Sequence, residues 1–130
     1  MAKSIVIVAG SYHKESVEMM VDKSRKIAAD NDLIVEGNKY TNVKKNGIGP
    51  HGDTERVVVA CLRVGEMMPM KYGWFHKSKV VGKTLTVDVP GASLYFMSEK
   101  AVGVDWKSRS KYTLRHAAGA DKYLKMKGED

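Results

Sequence analysis

The sequence predicts an α+β fold with a βαβ-like opening, an antiparallel β meander and a C-terminal helix. Three patterns support this fold class: an apolar run before a helical repeat, alternating apolar and polar residues in the second half, and a second helical spacing near the end. With 130 residues and 43% hydrophobic content, the chain fits a single globular domain over residues 1–130.

The βαβ opening rests on residues 4–35. Ser4 to Val8 is an apolar run typical of a buried strand, and Leu33 to Val35 is a second short run that returns as a strand. Between the two runs, small and apolar residues recur at the i, i+3, i+4, i+7 and i+11 positions of one helix face: Val17, Met20, Val21, Ser24 and Ala28.

The middle of the chain predicts a loop and then a strand. Residues 37–53 lack an apolar period, and we expect a mobile Gly-rich loop near 44–53 that covers a ligand or contacts a partner. Arg56 to Val64 is rich in valine and predicts a buried strand. Within it lies Cys61, which we interpret as a buried and inert thiol.

The second half predicts a meander and a closing helix. Three short alternating runs supply the strands, with Phe96 and Trp106 in phase with the core: Leu85, Val87 and Val89, then Leu94 and Phe96, then Val102, Val104 and Trp106. The spacing of Leu114, Ala117, Ala118 and Leu124 predicts a final helix over 113–127, with Thr113 as its cap.

The turn after the first strand is a candidate phosphate site. A strand that feeds a small-residue loop and then a helix presents free backbone N–H groups and the positive end of the helix dipole at one place. Glycine permits the sharp turn, and hydroxyl, imidazole and ammonium groups can contact phosphate oxygens. The candidate residues are Gly10, Ser11, His13, Lys14 and Ser16.

The segment from Ser4 to Ser16 resembles the opening strand and FMN phosphate loop of flavodoxin-like proteins and the related flavin reductases. The resemblance implies that Ser11 and Ser16 are phosphate ligands and that FMN or another nucleotide is the cofactor. The meander and the basic charge of the second half depart from that pattern. We therefore treat a small nucleotide or flavin pocket as a rival interpretation, and otherwise predict no cofactor.

Positive charge and aromatic rings are interleaved in residues 71–115. This segment holds nine basic residues against three acidic ones, within a chain of net charge +7. Cations that contact phosphates and rings that stack on bases together bind nucleic acid with little sequence preference. If 107–111 is extended, its three cations share one face. The predicted nucleic-acid-binding residues are Lys71, Tyr72, Trp74, Lys77, Lys83, Tyr95, Lys107, Arg109, Lys111 and Arg115.

The histidines offer candidates for acid–base chemistry, but their spacing predicts no metal site. None forms a pattern such as His-Glu-x-x-His, and Cys61 has no nearby cysteine partner. His51 with Asp53, or His13 with Glu15, can act as a base with an orienting carboxylate only where the fold brings the pair into a cleft. The sequence alone therefore assigns no catalytic residue and no reaction.

Three functions remain open at this stage. The preferred one is binding of a phosphate-bearing partner, most of all RNA or a single strand, through the basic aromatic half. The second is a nucleotide or flavin pocket at Gly10–Ser16, and the third is a homo-oligomer that buries Met67, Met68, Met70 and Trp74. The sequence contains neither an apolar run of roughly 18 to 20 residues nor a signal-peptide core, so we predict a cytoplasmic protein with no membrane partner.

Overall fold

A computed structural model describes residues 2–9, 14–31 and 33–129, with residues 2–9, 14–17, 20, 21, 24 and 28 described by their backbone alone. Its elements in chain order are β1 (Ala2–Ala9), α1 (Lys14–Asp30), β2 (Ile34–Lys39), β3 (Gly47–His51), β4 (Arg56–Val64), β5 (Met68–His76), β6 (Lys79–Val89), β7 (Ser93–Met97), α2 (Glu99–Val102), β8 (Thr113–Gly119) and a 3₁₀ turn at Asp121–Tyr123.

The strands form two four-stranded sheets. The first sheet has the order β2-β1-β4-β7, in which β1 runs parallel to both β2 and β4, and β7 runs antiparallel to β4. The second sheet has the order β3-β8-β5-β6 and is antiparallel throughout. The chain crosses between the sheets several times, so residues distant in sequence meet between them.

The main core lies between the two sheets. Val59 and Cys61 of β4 pack with Met68 and Met70 of β5, and Ala118 of β8 joins the same cluster. In each strand, residues two positions apart point to the same face, so β4 and β5 each supply a row of inward side chains. The helix α2 closes one side of this core with Val102, which is fully buried.

A second, smaller core covers the outer face of the second sheet. Phe75 and Ala117 pack there against Met126, with Leu124 beside them. Because Ala117 faces this cluster while Ala118 faces the other sheet, β8 is buried on both of its faces.

The predicted fold class is wrong, because strands make up 49% of the structure, mostly as antiparallel sheet, against 15% helix, and the C-terminal helix is absent from the described residues. The segment predicted as a helix over 113–127 is β8 followed by a 3₁₀ turn. Its apolar residues do not alternate because both faces of β8 are covered, and such a strand imitates a short buried helix. The βαβ opening itself is present, since β1 and β2 pair in parallel on either side of α1.

Two other segments also differ from prediction. Gly47–His51 is a strand paired with β8, although the lack of an apolar period in this stretch predicted a loop. The strand predicted over 102–106 is instead the end of α2 followed by turns. The cap of α2 explains the difference: the Ser98 side chain accepts a hydrogen bond from the Ala101 backbone N–H, and Gly103 ends the helix at φ +73°.

Candidate metal centre

A cavity of about 220 Å³ lies between the two sheets. Part of its wall is apolar and comes from the core residues Val59, Met68, Met70 and Met97. The rest carries ionisable side chains from both sheets and from the segment after β3: Glu36, His51, Asp53, Arg56, Arg63 and His116. Such a mixture of apolar walls and a few converging polar groups is typical of a small-molecule site.

Three of these side chains converge. His51 and His116 are directly opposite each other in the β3–β8 ladder, and their ring centroids are 4.4 Å apart. The Asp53 carboxylate lies between them, with Oδ1 3.7 Å from His51 Nε2 and Oδ2 3.6 Å from His116 Nε2. One ligand atom from each residue falls within 4.8 Å of the others. We call His51, Asp53 and His116 the His–Asp–His cluster.

Backbone carbonyls fix the orientation of both imidazoles. His51 Nδ1 is 2.8 Å from the carbonyl oxygen of Gly49, and His116 Nδ1 is 3.2 Å from that of Ala101. Because a carbonyl oxygen only accepts, each Nδ1 carries the proton. In the neutral imidazoles both Nε2 atoms then present a lone pair toward Asp53. Histidine ligands of metal ions in proteins are oriented in this way.

Asp53 is held by side-chain and backbone contacts. Arg56 Nη1 is 3.1 Å from Asp53 Oδ1, while Nη2 of the same guanidinium donates to the Glu36 carboxylate. The backbone N–H of Asp53 donates to the carbonyl of Val102 at 2.8 Å. These contacts leave Oδ2 directed at His116 and fix the carboxylate between the two rings.

Gly52 allows the chain to pass close to the turn that follows α2. A Cβ added at Gly52 would lie 2.1 Å from the carbonyl oxygen of Gly103 and 2.7 Å from Cβ of Trp106. Because the first of these atoms belongs to the backbone, any side chain at position 52 would displace the segment that carries Asp53. The glycine between His51 and Asp53 is therefore required by packing.

Burial keeps His116 neutral. Its pKa is lowered to about 4, first by desolvation and then by the neighbouring His51, against the opposing hydrogen bond to Ala101. Desolvation also raises the pKa of Asp53, and His51 opposes that shift. Both pKa shifts show that burial disfavours the charged forms of His116 and Asp53, and an ion of opposite charge close to either group would oppose its shift.

The cluster has the donor set of a divalent transition-metal site. Two imidazole nitrogens and a carboxylate oxygen suit iron, zinc and similar ions. Ligand atoms about 2.1 Å from one ion lie about 3.0 to 4.2 Å apart. The 3.6 and 3.7 Å separations, each to a different oxygen of Asp53, fall in that range.

The predicted phosphate loop cannot be placed. Gly10, Ser11 and His13 lie outside the described residues, and Lys14 and Ser16 belong to the first turns of α1, where the backbone alone is described. The phosphate site and its FMN or nucleotide cofactor therefore stay predictions.

The predicted nucleic-acid-binding residues separate into two groups. The residues of the first group are partly buried or have a partner within the protein. Tyr72 and Tyr95 are half-buried. Arg115 stacks on Phe75, with its Cζ 4.4 Å from the ring centroid, and Lys71 Nζ forms an ion pair with Glu129 at 2.5 Å. The other group is exposed: Trp74, Lys77, Lys83, Lys107, Arg109 and Lys111.

Other placements correct the sequence analysis. Residues 107–111 form turns rather than a strand, so their cations do not share a strand face. Phe96 was predicted to lie in the core but is 68% exposed. Met68 and Met70 are core residues, so of the four residues predicted to form an oligomer patch only Met67 and Trp74 are exposed.

Sequence reasoning paired His51 with Asp53 but missed His116, which completes the cluster. Local spacing could not find this group because His116 lies on β8, and only the β3–β8 register brings the two histidines together. The one sequence signal was the strand-forming stretch around His116, which the helical spacing concealed.

Comparisons with known proteins leave the family open. The chain is 40% identical over 122 residues to an uncharacterized protein of Acanthamoeba polyphaga mimivirus, in a match that covers 91% of this chain. The match takes in 48% of the viral protein, so the chain spans about half the length of this relative. No family profile matches the sequence. No solved structure matches it either. Within the described part of the chain, no helix combines the length and apolar character needed to cross a bilayer.

The neutral state of His116 predicts a pH-dependent stability in metal-free protein. Its pKa is about 4 when folded and roughly 6.5 when unfolded, so between these values the unfolded chain binds the proton that the folded chain excludes. Stability is therefore full above about pH 6.5 and falls as the pH drops toward 4, by roughly 2 kcal/mol at pH 5. Urea unfolding with a chelator present, at about pH 7 and pH 5, measures this.

His116→Asn is expected to remove most of the difference in unfolding free energy between about pH 7 and pH 5. His76→Gln, at a histidine stacked on Tyr112 away from the cluster, serves as the matched control and should behave as wild type. An identical loss of stability in wild type and His116→Asn would contradict the assignment.

Proposed function

We propose that the protein is a mononuclear metalloenzyme that binds iron(II) through His51, Asp53 and His116 and acts on a small molecule in the adjoining cavity. The observation that carries the proposal is the convergence of two Nε2 lone pairs and a carboxylate, with both ring protons directed at backbone carbonyls. When the imidazoles are neutral and the carboxylate is ionised, their lone pairs repel one another, and a cation at their centre would replace that repulsion by three bonds.

Two features favour iron(II) in an oxygenase-type centre over a hydrolytic zinc site. Two histidines and one carboxylate on one side of an open site is the ligand set typical of non-haem iron(II) oxygenases. Hydrolytic zinc enzymes also require a general base beside the metal-bound water. Among the described residues that line the cavity, the carboxylates are Asp53 and Glu36, and Glu36 is paired with Arg56.

The cavity limits the size of the substrate. At about 30 Å³ for each water-sized group, a volume of about 220 Å³ holds about seven such groups. This volume falls below the usual range for drug-sized ligands, so the proposed substrate is a small molecule. The methionine and valine side chains of the wall would contact its hydrocarbon part.

Metal binding tests the proposal directly. We expect purified wild-type protein, freed of metal and titrated anaerobically, to bind one iron(II) per chain. His51→Ala and Asp53→Asn should each weaken binding by at least about tenfold, because each removes one of three ligands. Competition with a chromophoric chelator gives the affinities, and circular dichroism verifies the fold of each variant.

His76→Gln is the control, because it removes an imidazole from outside the cluster. Equal affinity in wild type, His51→Ala and Asp53→Asn would contradict the metal centre. A strong preference for zinc over iron(II), with hydrolytic but no oxidative turnover, would contradict the assignment to iron.

We propose nucleic-acid binding as a second function, supported by the cations that remain exposed. Trp74 is 41% exposed, and Lys100 Nζ lies 5.7 Å from its ring centroid. Lys77 lies in the turn between β5 and β6, and Lys83 lies on β6 of the same hairpin. Since Tyr72 and Tyr95 are partly buried against the main core, base stacking on this surface would depend on Trp74.

The second function predicts a salt-dependent affinity for single-stranded oligonucleotides. Raising salt from about 50 to 200 mM should weaken binding by at least about tenfold, because each phosphate contact releases counterions. Trp74→Ala should weaken binding further through lost stacking, by about 1 to 3 kcal/mol. Fluorescence anisotropy of a labelled strand measures both effects; an affinity that is insensitive to salt would contradict this proposal.

A further inference from the structure

Arg63 is a buried cation in the cavity wall. Its side chain is 1% exposed and is the largest of the fully buried ones in the described residues. Nε and Nη2 donate to the backbone carbonyl of Glu66, at 2.9 and 2.7 Å. Nη1 is buried and has no hydrogen-bond partner. The guanidinium is therefore anchored on one side and unsatisfied on the other.

The surroundings of Arg63 compensate its charge only in part, through the charge of Glu66, which favours the charged guanidinium. The side chains in electrostatic contact with it are Tyr40, Cys61, Tyr95 and Glu66. Glu66 is exposed and contacts the guanidinium through its backbone carbonyl rather than its carboxylate. Burial raises the pKa of Tyr40 and of Tyr95, and Arg63 opposes the shift in both, so both phenols remain neutral hydroxyls.

A buried guanidinium with an unpartnered Nη1 and no carboxylate in hydrogen-bond contact is costly, because several kcal/mol of hydration are lost when a charge leaves water. Charges buried in proteins are therefore normally paired with an opposite charge. Within the described residues that line the cavity, the two carboxylates are already committed, Asp53 to the cluster and Glu36 to Arg56. In the described lining of the cavity, therefore, no carboxylate is left to accept a hydrogen bond from Nη1.

We propose that the cavity binds a small organic acid whose carboxylate pairs with Arg63. Nη1 of Arg63 would donate to one carboxylate oxygen, and the neutral hydroxyls of Tyr40 or Tyr95, which also line the cavity, would donate to the other. Charge-assisted hydrogen bonds of this kind are roughly twice as strong as neutral ones.

The chemistry of the wall favours a carboxylate over inorganic phosphate. One guanidinium balances one negative charge, whereas a phosphate dianion would leave a further charge buried and unpaired. The side chains of Val59, Met68 and Met97 would contact hydrocarbon. A carboxylate with a short carbon chain matches both the cation and the apolar surface.

The carboxylate contact itself requires no metal. A second claim rests on the proposed function: the other end of the acid would extend through the same cavity to the open side of the His–Asp–His cluster. Arg63 lies on β4 of the first sheet, whereas His51 and His116 lie on the second sheet, so a ligand bound between them would join the two sheets.

Calorimetric titration with butyrate and with its neutral amide, butyramide, tests the inference, first in chelator and then with iron(II) under anaerobic conditions. Wild type should bind butyrate at least about tenfold more tightly than butyramide, because the charge-assisted bonds to Arg63 are lost with the amide. Arg63→Met should weaken butyrate binding by a similar factor and leave iron(II) affinity unchanged. His76→Gln, at a ring stacked on Tyr112 away from the cavity, should leave butyrate binding unchanged.

The outcomes separate this inference from the proposed metal centre. Butyrate binding without any iron binding would support the Arg63 site and contradict the metal centre. Iron binding with equal affinity for butyrate and butyramide, or with tighter binding of inorganic phosphate, would overturn the Arg63 inference alone. Should Arg63→Met not fold, the comparison of the two ligands on wild type decides the matter.

Discussion

The register between β3 and β8 is the constraint on which the site depends. It places His51 opposite His116, and the two residues that follow His51 bring Asp53 between the rings. A slip of one residue would direct one imidazole to the other face of the second sheet, because side chains alternate along a strand. The close approach of Gly52 to Gly103 and the bond from Asp53 to Val102 hold that register from outside the sheet.

Buried charge gives the cavity its chemical character. Arg56 is shared between Glu36 and Asp53, whereas Arg63 is satisfied on one side only. The two imidazoles direct Nε2 lone pairs toward the Asp53 carboxylate, and Arg63 Nη1 has no hydrogen-bond acceptor. A bound metal ion and a bound carboxylate would each engage one of these groups independently. Both the metal proposal and the ligand proposal follow from this distribution of charge.

The sequence predicted local structure better than it predicted the site. Residues 56–64 were predicted as a strand and form β4 with the same bounds, because one long apolar run has a single simple interpretation. The segment around His116 was misread, because a strand covered on both faces loses its alternation. The pairing of His51 with Asp53 was visible in the sequence, but His116 and Arg63 belong to the site only through strand pairing across the fold, which no local pattern encodes.

Anomalous X-ray diffraction at the iron edge, from crystals grown anaerobically with iron(II), tests the central claim most directly. The account predicts one strong peak per chain, within bonding distance of Nε2 of His51, Nε2 of His116 and a carboxylate oxygen of Asp53. An empty cluster, or a peak bound by other side chains while these three remain unligated, would contradict it.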